Sequence, residues 1–146
     1  MDFTDFASRI AAAAIAGLLI GVEREYKNKN AGLKTNALVA LGSAVFVLVS
    51  LQFEGDKWVD TSRVLSQVVV GIGFLGAGVI WKKGGEIEGL TTAATVWCSA
   101  AVGCLAALAM YEELALITVV ILIINLIFGY FDNKIKKEGK KDFEET

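Results

Sequence analysis

Histidine and proline are both absent from the 146-residue chain, and cysteine occurs only twice. Without histidine there is no imidazole to act as a base near neutral pH or to ligate a metal. Without proline no helix must lose an internal amide donor, so any irregularity falls to the 15 glycines. Cys98 and Cys104 lie in one apolar run, six residues apart, and point to different faces of one helix. That spacing fits neither a disulfide between them nor a metal motif. No nucleophile–base pair or phosphate loop is present either, so no catalytic residue, metal or cofactor is expected. "GIGFLG" (71–76) matches G-x-G-x-x-G. It lies inside an apolar run rather than between a strand and a helix, and this excludes a dinucleotide site.

Polar residues are also missing where a soluble helix would show them, once per turn on its outer face. The chain is 55% hydrophobic with a mean hydropathy of +0.57. Its apolar residues form blocks of about 18–21, near the length that crosses a bilayer as a helix. The expected fold class is an all-α membrane protein with five transmembrane helices, at roughly 4–22, 35–53, 64–81, 91–110 and 113–131. The first block has no basic stretch before it and further apolar blocks follow, so it reads as a span rather than a signal peptide. Residues 1–132 form the membrane domain and 133–146 a polar cytoplasmic tail.

Eleven of the fourteen lysines and arginines fall in three regions. These are the 22–34 hinge (Arg24, Lys27, Lys29, Lys34), the 82–90 loop (Lys82, Lys83) and the tail (Lys134, Lys136, Lys137, Lys140, Lys141). Five spans place all three regions on one side. The positive-inside rule then puts the N-terminus out and the C-terminus in. The tail lysines also suit an anionic inner leaflet.

A shift of 57 residues lays "GLKTNALVALGSAV" (32–45) over "GLTTAATVWCSAAV" (89–102), with seven of fourteen positions identical. Upstream, Leu18, Gly21 and Val22 coincide with Leu75, Gly78 and Val79. This reads as an internal repeat, about 4–53 and about 64–110, of two parallel hairpins related by a pseudo-two-fold axis along the membrane normal. The fifth helix, "LALITVVILIINLIFGY", stands outside the repeat as a peripheral, lipid-facing helix; Thr118 and Asn125 share one of its faces.

Arg9 is the one charge inside a span. Either it snorkels to the headgroups or it serves a function, with Asp5 at i−4 as its partner. Ala13, Ala16, Ile20 and Glu23 follow it along one small, packable face. Three further stripes share helical faces: Asn36, Ala40, Ser43 and Ser50; Gln67, Gly71, Phe74 and Gly78; and Thr92, Thr95, Ser99 and Gly103. They read either as packing glue or as a polar path. Gly17, Gly21, Gly71, Gly73, Gly76, Gly78 and Gly103 are expected close helix contacts. Thr35 and Thr92 are expected N-caps after the turns at Gly32 and Gly89. Glu23 and Glu25 are expected against those helix starts, with Arg24 pairing back or holding an anion. In the outer loop, Trp58 reads as an interface anchor; Glu54, Asp56 and Asp60 read as a solvated cluster or, less simply, a weak divalent site.

The segments "GLLIGVEREY", "AGLKTNALVALGSAVF", "QVVVGIGFLGAGVI" and "GLTTAATVWCSAAVG", in this order, resemble the membrane domain of the MgtC/SapB family over about residues 9–131. Family-type positions by this match are Glu23, Arg24, Gly32, Thr35, Asn36, Gly73, Gly76, Gly78, Gly89, Thr92 and Ala93. The resemblance implies a bacterial inner-membrane protein linked to growth in low magnesium, in a short form without the cytoplasmic domain that many members carry. It also implies a membrane protein partner such as the ATP synthase and, for some members, survival inside host phagocytes. On this basis the chain is expected to be a non-enzymatic regulator of ion or membrane-energy homeostasis. The alternative is a small transporter or channel for magnesium, protons or phosphate. A homodimer in the lipid bilayer is expected, and no nucleic-acid partner.

Overall fold

The computed structural model describes residues 1–55, 57 and 60–144, with the backbone alone for 128–144. Asp56, Trp58 and the tail lysine side chains therefore lie outside the described residues. The elements run α1 (Phe3–Tyr26), α2 (Leu33–Leu51), α3 (Ser62–Gly78), β1 (Trp81–Lys83), β2 (Glu86–Glu88), α4 (Leu90–Ala107) and α5 (Tyr111–Glu144). Among the described residues, α1, α2 and α4 are long and apolar enough to cross a membrane, and α3 is a shorter apolar helix.

The helices begin and end where local chemistry says they should, with two corrections. Asp2 caps α1 by accepting from the Asp5 amide at 2.7 Å. Helix α1 then continues a turn past the expected boundary, because Glu23, Arg24 and Glu25 find helical neighbours. The charged hinge shrinks to six residues, Lys27 to Gly32. It opens on Asn28, whose positive φ of 51° ends α1 in a reverse turn closed by Lys29 N–H to Arg24 O at 3.0 Å. Gly32 and Gly89, rather than Thr35 and Thr92, are the N-caps of α2 and α4. Gly89 sits at φ 94°, which a threonine would adopt only with strain. Both threonines fall three residues later, inside the first turn of their helices.

The 82–90 loop contains an antiparallel hairpin, with Trp81 opposite Glu88 and Lys83 opposite Glu86. Gly84 and Gly85, both at positive φ, make its two-residue turn. No apolar alternation announces these short strands. Asp60 leads into α3 by accepting from the Ser62 hydroxyl at 2.6 Å and its amide at 3.0 Å, and these bonds hold its carboxyl below the usual range.

Helices α1, α2 and α4 form the centre. Their shared core is alanine-rich: Ala13, Ala16 and Ile20 meet Ala40, Ala44, Val47 and Leu48, and Val102, Ala106 and Ala107. Small side chains let these backbones approach closely, which is how apolar helices associate without a hydrophobic drive between them. A Cβ on Gly17 would lie 2.7 Å from Asn36 O, and one on Gly21 2.6 Å from Leu33 Cα. Gly103 lies against the Ala40 carbonyl.

Helix α5 packs on α1 and α4 through Leu114, Thr118 and Ile121, and over 116–127 Leu116, Ile117, Val119, Val120, Ile123, Ile124, Leu126 and Ile127 are exposed. Helix α3 is at least as peripheral, with Ile72 and Gly76 its only buried residues. Of the expected glycine contacts on it, Gly76 approaches Ala93 at 3.7 Å, whereas Gly71, Gly73 and Gly78 face open space. The reason is rotation: α3 turns Ile72 and Gly76 toward α4, and this carries the Gln67, Gly71, Phe74 and Gly78 stripe outward. Phe74 is 81% exposed. Exposed Leu19, Phe46, Val70, Leu116 and Leu126 complete an apolar exterior suited to lipid.

Candidate functional site

Three elements converge where α1 ends. The last turn of α1 carries Glu23 and Arg24, both on its buried side. The β-hairpin lies beside it, and α4 starts immediately after the hairpin. The first backbone hydrogen bond of α4 runs from Ala93 N–H to Gly89 O at 2.8 Å, and no side chain caps its earlier amides. The positive end of an 18-residue helix thus faces the end of α1.

Arg24 reaches this end directly. Its Nη2 donates to Thr92 Oγ1 at 2.6 Å, joining residues 68 apart in sequence. Arg24 is 4% exposed and Glu23 7%. Glu23 Oε1 lies 2.7 Å from Lys27 Nζ, an ion pair one helical turn along. Among the described residues, Glu23 Oε2, Arg24 Nε and Asn125 Nδ2 have no hydrogen-bond partner, and Glu23 Oε1 has only this ion pair. Lys27 also donates to Asn125 O at 2.8 Å, tying α5 to the same place. These residues, with Lys29, Asn30, Trp81, Glu86, Ile87 and Glu88, line a cavity of about 510 Å³.

A second polar contact holds the bundle just inside this end. Asn36 is fully buried. Its Nδ2 donates to Ala31 O at 2.5 Å and Gly32 O at 2.9 Å, and its Oδ1 accepts from Ser99 Oγ at 2.7 Å. One amide therefore stitches the hinge, α2 and α4 together. Glu25 Oε2 accepts from the Leu33 amide at 3.2 Å, at the start of α2.

Arg9 works at the opposite end. It pairs with Asp5 at 2.9 Å and donates to Ala107 O at 2.6 Å, satisfying a carbonyl at the C-terminus of α4. Nearby, the Ser8 and Tyr111 hydroxyls lie 3.2 Å apart. Arg9 is thus a half-buried helix clamp, far from Glu23 and Arg24.

The candidate residues sort accordingly. Glu23, Arg24 and Thr92 come together; Asn36 and Ser99 form a separate buried pair; Arg9 stands at the other end. Thr35 and Gln67 do not join either group. Both are exposed and line an apolar groove of about 610 Å³ between α2 and α3. Thr35 fails to meet Arg24 because the start of α2 is already occupied by Glu25 and the Asn36 side chain. Sequence reasoning missed Lys27, Trp81, Glu86, Glu88 and Asn125 as cavity residues. Asn125, as the one strongly polar residue of α5, was the available signal.

The MgtC family model matches residues 10–134. The chain is 42% identical over 139 residues to Protein MgtC of Salmonella typhimurium, covering 92% of this chain and 59% of that relative. It is 48% identical over 121 residues to Protein MgtC of Brucella abortus, covering 83% of this chain and 50% of the relative. The chain therefore spans about half to three-fifths of the length of these relatives. No solved structure matches.

Proposed function

The chain belongs to the MgtC family, and from that membership we propose a non-enzymatic, magnesium-linked regulator of ion or membrane-energy homeostasis in the bacterial inner membrane, acting through a membrane partner. The observation that carries this reading is the buried Arg24–Thr92 bond. It fixes a charged surface at one end of an otherwise apolar bundle, which suits recognition more than turnover. The proposed topology has five spans in two parallel hairpins plus the fifth helix, with the N-terminus out and the C-terminus in. The hinge, the β-hairpin and Asn125 all meet at one end of the bundle, which supports placing the lysine-rich regions on one side. The outward glycine face of α3 supports a homodimer through that helix.

Affinity purification from native membranes under magnesium limitation is expected to recover a membrane complex, with the ATP synthase a specific candidate. Recovery of the protein alone would count against a partner. Cross-linking in native membranes is expected to give a dimer; monomer alone would remove the homodimer.

The second reading is a small transporter or channel, favoured by the polar cavity and the buried Asn36–Ser99 pair. Flux of magnesium, protons or phosphate into proteoliposomes would establish it, and the absence of flux leaves the regulator.

A further inference from the structure

Buried groups of both signs are left unsatisfied on the wall of one cavity. Glu23 offers two carboxylate oxygens, Arg24 its Nε–H and Asn125 its Nδ2. Glu23 and Arg24 are each more than nine-tenths buried. The uncapped amides of α4 add donors beside Arg24. Burying such groups without partners is costly, so a ligand that completes them is favoured. A simple anion would answer Arg24 and the α4 amides but leave Glu23 Oε2, the oxygen that Lys27 does not reach, without a partner. A simple cation would do the reverse. Lys27 answers only part of this: its Nζ lies 2.7 Å from Glu23 Oε1 while also donating to Asn125 O, and Glu23 Oε2 and Arg24 Nε stay open.

We propose that this cavity binds a zwitterion, with its oxyanion on Arg24 and the amino end of α4 and its primary ammonium on Glu23. A primary ammonium carries three N–H donors for the Glu23 oxygens, whereas a quaternary one carries none. The oxyanion accepts from Arg24 Nε and from backbone amides, as anions do at helix starts. The cavity, at about 510 Å³, has the size of a small-molecule site. Exposed Ile87, Leu90 and Ile124 at its edge suit acyl chains, and Trp81 suits an interface. The same chemistry is carried by a phosphoethanolamine lipid headgroup or by a free phosphoethanolamine-like solute. The inference rests on reading α1 and α4 as membrane helices, and on neither the partner nor the flux.

The test is native mass spectrometry of the full chain in detergent. It is titrated with phosphatidylethanolamine, phosphatidylcholine and phosphatidylglycerol of matched acyl chains, and separately with O-phosphoethanolamine. Phosphatidylethanolamine is expected to bind at least about tenfold more tightly than the other two lipids. Glu23→Gln should abolish its advantage over phosphatidylglycerol. Arg24→Gln should weaken both, and Lys34→Ala should change neither. Equal binding of all three lipids overturns the proposal. Phosphatidylglycerol binding as tightly as phosphatidylethanolamine also overturns it, because an anion site alone would then suffice. Binding of O-phosphoethanolamine as tight as that of the lipid upholds the zwitterion and assigns it to a solute; lipid-only binding upholds it and assigns it to the bilayer. If either cavity variant loses its helical circular dichroism, the wild-type ranking of the three lipids decides alone. Partner recovery and flux are separate measurements, so either can fail without the other.

Discussion

Gly21 and Gly78 occupy matching places in the two sequence-similar halves, yet one is sealed and the other bare. A Cβ on Gly21 would crowd Leu33 Cα at 2.6 Å; one on Gly78 would meet nothing within 4 Å. The same holds for the matched threonines, since Thr92 is buried against Arg24 while Thr35 is exposed. The connections differ in the same way. A six-residue hinge folds α1 tightly onto α2, whereas a β-hairpin separates α3 from α4. Similar local sequence therefore makes similar helices, and the connection together with the neighbouring helix decides which face is spent on packing. The first hairpin uses Gly17 and Gly21 inside the subunit, with Gly42 left in open space. The second leaves Gly71, Gly73 and Gly78 on the surface.

The sharpest break in this comparison is expected at glycine itself. Gly103→Val would drive a side chain into the Ala40 backbone, which cannot yield as a flexible side chain would. A loss of about 3 kcal/mol or more is expected, seen as a collapse of the thermal transition in mild detergent. Gly73→Val, in open space, should leave that transition nearly in place.

Arg24→Ala comes next. It removes the bond to Thr92 and leaves buried Glu23 with Lys27 as its one neighbouring charge among the described residues, for an expected loss of about 1.5–3 kcal/mol. Lys29→Ala, on the exposed hinge, should stay within about 0.5 kcal/mol. Equal effects in chemical denaturation would mean that the cluster does not hold the end of the bundle. The matched threonines give a smaller contrast: Thr92→Val is expected to cost about 1–2 kcal/mol and Thr35→Val almost nothing. Smallest is Gly73→Ala, which should stabilise α3 by about 0.5–1 kcal/mol through helix propensity if the face is free in the monomer. If α3 instead packs on a second copy, the same change should weaken the dimer in cross-linking.

Much of this was legible in advance. The apolar blocks located four helices within about four residues at each end, because block length and uniform hydropathy are local properties; α5 starts where expected but runs on to Glu144, thirteen residues past the expected end at 131, because a helix can continue beyond its apolar block. The stripes on α2 and α4 pointed inward as their spacing implied, since small and hydroxyl residues repeat at helical period. The stripe on α3 had the same period and pointed outward. Periodicity tells which residues share a face, but not what that face meets. The β-hairpin was hidden because three-residue strands without alternation have no signature. Arg9 was visible as a charge in a span; its acceptor, the Ala107 carbonyl, was not, because backbone acceptors leave no mark on sequence.

The sequence alone determined that this chain forms apolar helices, where they break, that its charges gather between them, and that it resembles the MgtC/SapB family. These follow from composition, periodicity and motif, each readable within a few turns of chain. Only the tertiary structure decided that Glu23, Arg24, Thr92 and Asn125 share one cavity while Thr35 and Gln67 lie outside it. It also decided that the glycines of α1 and α4 are filled and most of those of α3 are not. Such choices depend on how helices rotate against one another, and that rotation is set by contacts between residues 63, 68 or 98 positions apart.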